Sequence, residues 1–255
     1  MEKITSKSNQ IIKDTKKLLT SSKFRTQCNA FVLEGARLSF DVLNSVYKIR
    51  LILITESVYE RYRESADKII EKADNAYFIS SEVADKLSET ASSQGIFVVC
   101  EMKSIASELG SKVIALDNIQ DPSNLGALVR TAEALGIDSI IAYKCCDIYN
   151  SKALRASMGS ILRMSIVRTD NLEEMLSELK NRYRIYSTVP LSTAVAITDI
   201  DFSLPSICVI GNEANGVEDN IKAVSDELIT IPMLGRAESL NASVAGAITM
   251  WEMLR

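Results

Sequence analysis

The sequence predicts two α/β domains in tandem, a small one followed by a larger one built on a mostly parallel sheet. Three observations carry that expectation. The chain has 255 residues, about 1.7 times a typical domain of roughly 150 residues. Short apolar runs flanked by turn residues alternate with helical stretches along it. All four prolines and seven of the ten glycines lie after residue 110, so the turn chemistry changes at a definable place. A composition of 47% hydrophobic and 24% charged residues is ordinary globular usage and excludes a disordered or low-complexity chain.

Residues 4–20 carry Ile4, Ile11, Ile12, Leu18 and Leu19 opposite a lysine-rich face, the spacing of an amphipathic helix. Strands are expected at 31–34 (FVLE), 51–55 (LILIT), 76–80 (AYFIS) and 96–100 (IFVVC), with helices at 36–46, 57–73 and 81–90 between them. These elements define a first domain over residues 1–105, and mixed polarity ending near Gly110 marks a linker at 106–112. In the second domain, 113–255, strands are expected at 113–117, 139–143, 184–189, 207–211 and 227–232. Helices fit at 123–135, 151–158, 171–181, 217–224 and 239–253. Each strand here is a short apolar run flanked by turn residues, as buried parallel strands covered by helices tend to be.

Composition removes several chemistries. Histidine is absent, which excludes Ser-His-Asp, Cys-His and His-metal schemes. The five cysteines (Cys28, Cys100, Cys145, Cys146, Cys208) form no CxxC pair, so reduced thiols are expected, with no metal and no disulfide framework. The opening MEKITSKSNQ is polar where a signal peptide is apolar, and no apolar run approaches the 18 or so residues of a membrane span. A soluble, cytoplasmic protein with no membrane partner is expected. The net charge of −4 is unevenly divided, +1 over residues 1–110 and −5 over 111–255. Seven of the first 25 residues are basic, among them Lys13, Lys16 and Lys17. Such a segment either contacts phosphates or is a solvated helix face, and charge alone does not decide.

Three stretches of the second domain follow strand ends. In DNIQDPSNLGALVRTAEALG (117–136) Pro122 sets a turn, Ser123 or Asn124 offers a helix cap, and Arg130 lies within the helix. In VIGNEANGV (209–217) Gly211 and Gly216 allow positive φ and close backbone approach, with Glu213 between them. Neither GxxxxGK[ST] nor GxGxxG occurs, which disfavours a Walker loop and a standard dinucleotide fold. In IPMLGRAESLNASVAGAITMWE (231–252) Ser239, Asn241 and Ser243 crowd the start of a helix whose Ala242, Ala245, Gly246 and Ala247 permit close packing.

In this order and separation, with RASMGS at 155–160, the stretches resemble the signature motifs of the SpoU (TrmH) family of RNA ribose 2′-O-methyltransferases. The likeness runs from about Val113 to Arg255. VLEGARL (32–38) and SSQGIFVV (92–99) resemble the RNA substrate-binding domain that often precedes it. The resemblance implies a deep trefoil knot in the parallel sheet, an exception to the usual rule against threading. It implies S-adenosylmethionine as cofactor, held near Thr188, Gly211, Ile231 and Leu240. It also implies a homodimer through the knotted domain, with the site shared between subunits.

By the same likeness Arg130, Asn124, Glu213, Ser239 and Asn241 form the catalytic set. Arginine keeps its proton, so Arg130 is expected to grip a phosphate and stabilise a developing alkoxide rather than act as a simple general base. Asn124 would fix the loop or the ribose, Glu213 the second motif or the substrate, and Ser239 with Asn241 the knot. Lys13, Lys16, Lys17 and Arg155 are the expected RNA contacts. The separate first domain points to large-subunit ribosomal RNA. A transfer RNA enzyme and a non-catalytic RNA-binding assembly factor are the alternatives.

Overall fold

The computed structural model describes residues 1–89, 93–102 and 108–255. Thr90 of the expected helix 81–90, Ser92 of the SSQGIFVV stretch, and the first two residues of the expected linker lie outside them. Two compact units emerge: Met1–Lys103 together with Tyr149–Leu162, and Ser104–Ile148 together with Arg163–Arg255.

The first unit opens with β1 (Lys3–Ile4), α1 (Gln10–Thr20) and α2 (Ser22–Cys28). The helix expected at 4–20 therefore begins six residues later. Asn9 caps it, its side chain accepting the Ile11 N–H, and Ile4 joins the sheet instead. There follow β2 (Ala30–Glu34), α3 (Ala36–Asp41), β3 (Ile49–Ile54), α4 (Glu56–Arg61), α5 (Arg63–Glu71), β4 (Ala73–Ile79), α6 (Ser81–Leu87) and β5 (Ile96–Glu101). The strands order as β1-β4-β3-β5-β2. β5 runs antiparallel to both β2 and β3, while β3 and β4 are parallel. Ile12, Leu18 and Leu19 of α1 pack against Val32, Leu53, Val83 and Phe97, so the apolar stripe of the sequence is the stripe that is buried.

Tyr149 belongs to this unit. Its ring stacks on Phe31 at 4.3 Å between centroids, and its hydroxyl lies 3.2 Å from that of Tyr47. Burying three aromatic side chains together brings both area and ring–ring attraction.

The second unit begins with β6 (Lys112–Asp117), α7 (Pro122–Leu135) and β7 (Ser139–Tyr143). The chain then forms α8 (Ser151–Ser157), which groups with the first unit. It continues through β8 (Ser165–Thr169), α9 (Leu172–Leu179), β9 (Arg184–Thr188), β10 (Val195–Ala196), β11 (Ser206–Ile210), α10 (Asp219–Val224), β12 (Glu227–Thr230) and α11 (Ala242–Leu254). The strands form one sheet in the order β10-β12-β9-β11-β6-β7-β8, and every pairing among the described residues is parallel. All five residues of β7 and of β11 are buried, as their unbroken apolar runs require. Val113, Ile141, Ile185 and Val209 pack with Leu172, Leu176 and Ile221 of α9 and α10. No helix among the described residues is long and apolar enough to cross a membrane.

Candidate active site

β6 ends at Asp117, whose Oδ2 accepts the Glu218 N–H at 2.7 Å. The turn after it delivers Asp121, not Ser123 or Asn124, as the cap of α7: the Asp121 side chain accepts the Ser123 N–H and Pro122 occupies the first turn. Proline suits that position because its fixed φ is helical and its missing N–H would have had no partner. Asn124 is thereby released from capping and buried in the first turn. Its Nδ2 donates to Glu213 Oε1 at 2.8 Å, and its Oδ1 accepts from Asn241 Nδ2 at 3.1 Å. Asn241 in turn caps α11, its Oδ1 accepting the N–H groups of Ser243 and Val244. Three of the expected catalytic residues thus form one relay of side chains.

Glu213 sits in a tight turn. The backbones of Asn212 and Gly216 exchange two hydrogen bonds of 3.0 and 2.9 Å. The Asn212 Oδ1 accepts the N–H of Ala214 and Asn215, and its Nδ2 donates to the Asn118 carbonyl at 2.7 Å. The two glycines serve different needs. Gly216 takes φ +69° with open space around it, the conformation that closes the turn. Gly211 does not have positive φ; a Cβ there would meet the Gly216 carbonyl carbon at 2.2 Å. Its smallness is required by the turn folded over it, so of the two freedoms glycine allows, Gly216 uses positive φ and Gly211 close backbone approach.

This turn forms one wall of a cavity of about 400 Å³, within the range of small-molecule sites. Thr188, Gly211, Ile231 and Leu240 all line it, as do Glu213 and Ser239. Glu238 and Lys222, which sequence reasoning missed, line it as well. Thr188 does so with its hydroxyl already donated to the Val209 carbonyl at 2.8 Å, tying the ends of β9 and β11 together. Asn124 and Asn241 stand behind the wall and reach the cavity through Glu213 and through the neighbours of Asn241. Close packing of α11 on α7 keeps them there: a Cβ on Gly246 would strike Leu128 Cδ2 at 2.2 Å.

Arg130 is not brought to the cavity of its own chain. It is exposed on α7, six residues and therefore about 120° around the helix from Asn124. Lys13 and Lys17 are exposed on α1. Lys16 is half-buried, its Nζ donating to the carbonyls of Leu87 and Ser88 at 3.0 and 3.3 Å and reaching Glu89 at 2.5 Å. It therefore caps the end of α6. Arg155 lies 3.7 Å from the buried carboxylate of Glu34, a structural pairing that sequence distance conceals.

Burial raises the Asp117 carboxyl above its ordinary range despite the Glu218 N–H, and its Oδ1 has no hydrogen-bond partner. Burial also pushes the thiols of Cys145 and Cys146 up, to about 11 and about 12, so neither is a nucleophile at neutral pH. No group of three or more potential metal ligands occurs among the described residues.

Residues 111–251 match the model of the SpoU rRNA methylase family, and residues 9–98 match the MRM3-like substrate-binding domain. The 23S rRNA (guanosine(2553)-2′-O)-methyltransferase RlmP of Bacillus subtilis is 34% identical over 99% of both chains. The crystal structure of an AdoMet-bound rRNA methyltransferase from Sinorhizobium meliloti superposes with a TM-score of 0.88 at 28% identity, covering 99% of this chain and 97% of that one. The TrmH/SpoU tRNA modifying enzyme of A. aeolicus, 32% identical with a TM-score of 0.53, covers 57% of this chain and 75% of its own. With a family model spanning the cavity and the Asn241–Asn124–Glu213 relay, and a relative matching end to end, the chain belongs to the SpoU rRNA methylase family.

Proposed function

We propose that the chain transfers a methyl group from S-adenosylmethionine to a ribose 2′-hydroxyl of large-subunit ribosomal RNA in the cytoplasm. The observation that carries the reading is the relay Asn241–Asn124–Glu213 ending in the wall of the cavity. The lining fits the cofactor. Ile231 and Leu240 offer apolar surface for an adenine, and the carboxylate of Glu238 suits a cationic group of the cofactor. Bound there, S-adenosylmethionine supplies an electrophilic methyl group.

The protein's own residues then have distinct tasks. Thr188, Gly211, Ile231 and Leu240 hold the cofactor. Glu213, fixed by Asn124 and Asn212, orients the reacting ribose, and Ser239 with Asn241 orders the 231–241 segment around it. Arg130 grips an RNA phosphate and stabilises negative charge developing on the 2′-oxygen. Because Arg130 faces away from the cavity of its own chain, we assign it to the site of a second copy. An exposed stripe on α11, Val244, Trp251 and Leu254, recurs at helical spacing and supports a homodimer built on α7 and α11. Residues 113–255 are the methyltransferase domain in this reading, and its C-terminal segment is the one whose threading would make the trefoil knot. Residues 1–105 are the RNA-binding domain, with Lys13 and Lys17 on phosphates.

The transfer RNA alternative is disfavoured because the tRNA modifying enzyme matches only 57% of this chain, whereas the ribosomal relative matches both domains. The test is transfer from labelled S-adenosylmethionine to total RNA of cells lacking the gene, with size classes separated. Label at an alkali-resistant position of the large ribosomal RNA is expected. Label in the transfer RNA fraction would replace the substrate, and cofactor binding without transfer to RNA or ribosomal particles would replace the enzyme with a binding protein.

A further inference from the structure

The first unit holds a second cavity of about 400 Å³, at the end of its sheet where the chain leaves β2, β3 and β4 and enters β5. Its floor is tied down. Gln94 Oε1 accepts the Ala36 N–H at 3.0 Å, and the Gly95 carbonyl accepts the Thr55 N–H at 2.8 Å. Gly95 has φ +66°, and a Cβ on it would strike Thr55 Oγ1 at 2.6 Å, so the loop is pressed against the threonine. Around this floor the lining is polar, and the one ring in it is Tyr62. The Arg61 guanidinium lies 5.3 Å from the centre of that ring. Arg61 is exposed and pairs with no carboxylate among the described residues. Asp85, also exposed, lines the same cavity.

We infer that this cavity receives one unpaired nucleotide of the RNA substrate. Arg61 only donates hydrogen bonds and Asp85, ionised, only accepts them. A base edge, which carries both donors and acceptors, satisfies the two together, whereas a bare phosphate would be repelled by Asp85. Tyr62 and the guanidinium plane offer the flat surfaces on which unstacked RNA bases settle. A floor already fixed by hydrogen bonds needs little ordering on binding. The cavity also lies within residues 9–98, matched by a substrate-binding domain. The inference rests on RNA being the substrate.

The test is equilibrium binding of the full chain to a large-subunit ribosomal RNA transcript, with methyl transfer to the same transcript. Arg61→Ala and Asp85→Asn are each expected to weaken binding and raise KM about tenfold, with kcat at saturating RNA and cofactor affinity unchanged. Arg63→Ala is the control: it removes the same charge from a neighbouring position outside the lining, and little change is expected. Wild-type binding by both cavity variants overturns the inference and leaves the proposed function standing. So does equal weakening by Arg63→Ala, which would mean charge alone. A chain that binds the transcript but transfers no methyl group overturns the enzyme reading, and the variants still judge the cavity by binding. Failure of the unaltered chain to bind either the transcript or ribosomal particles overturns both. Mononucleotides that occupy the cavity at micromolar concentration would replace RNA with a free nucleotide.

Discussion

Asn124 and Glu213, 89 positions apart, meet through an Nδ2–H···Oε1 hydrogen bond of 2.8 Å. Each end of that bond is fixed independently, Asn124 by the first turn of α7 and Glu213 by the closed turn from Asn212 to Gly216. Asn124→Ala would leave the facing groups of Glu213 and Asn241 without their partner, at a cost to stability of about 1–3 kcal/mol. Methyl transfer should fall about 100-fold. Asn124→Asp should fall further at neutral pH, since it sets two carboxylates against each other, and should recover partly on acidification as one takes up a proton. Transfer rates from pH 5 to 8 beside thermal melts check both expectations.

Arg130 gives the opposite signature. Exposed and away from the cavity, its replacement by alanine should change stability by less than about 0.5 kcal/mol and leave cofactor affinity intact, while abolishing transfer. If it serves a second copy, mixing Arg130→Ala with Asn124→Ala chains should raise activity well above that of either variant alone. Absence of complementation in verified mixed dimers would return Arg130 to its own chain.

The stripe on α11 makes a related prediction. Trp251 is 60% exposed, and Trp251→Glu should convert a dimer in sedimentation to a monomer that still melts cooperatively. A monomeric wild type would remove the proposal.

The lysines of α1 separate by structure. Changing exposed Lys13 and Lys17 to alanine should weaken RNA binding and lower the salt slope by about 0.7–0.9 for each phosphate no longer neutralised. Lys16→Ala should instead lower the melting temperature, because Lys16 holds the carbonyls at the end of α6. Binding isotherms between 50 and 200 mM salt, roughly the useful range, distinguish the two.

Asp117 sets a pH dependence. Its carboxyl is raised by burial, so the folded state holds the proton more tightly than the unfolded one. The stabilisation is fully present below the ordinary carboxylate value and is lost as pH rises through the raised one. Asp117→Asn keeps an acceptor for the Glu218 N–H without a buried charge. It should flatten melting temperature against pH between 4 and 7, about the span where carboxylates titrate, and raise it at pH 7. A profile parallel to the wild type would exclude Asp117 as the source.

Much of the fold was legible because burial on both faces leaves unbroken apolar runs, as in β6, β7 and β11. β8 was missed because it is an edge strand whose SIVRT sequence buries one residue, and β1 and β10, two residues each, carry no periodicity. The expected helix 57–73 divides at Tyr62, which has φ −122° and ψ 35°, a break that no proline or glycine announces. At the site, motif order brought together Asn124, Glu213 and Asn241, but local chemistry assigned the wrong cap. The Asp-Pro pair was the signal for Asp121. Asn212 was equally readable in NEANG, an Asx turn closed by glycine. The partners of Lys16 and Arg155 lie far along the chain, beyond the reach of a charge count.

Tyr149, stacked on Phe31, gives the molecule an order of assembly. During synthesis the first sheet is complete some fifty residues before the ring that covers Phe31 leaves the ribosome. The amino-terminal unit is thus finished only from within the sequence that follows it. A fragment ending at residue 105 lacks that ring and is expected to expose Phe31 and aggregate, and a fragment starting at 113 carries Tyr149 with nothing to cover it. A cut at residue 105 separates Phe31 from the ring that covers it. The boundary that evolution or an engineer could move has to include 149–162.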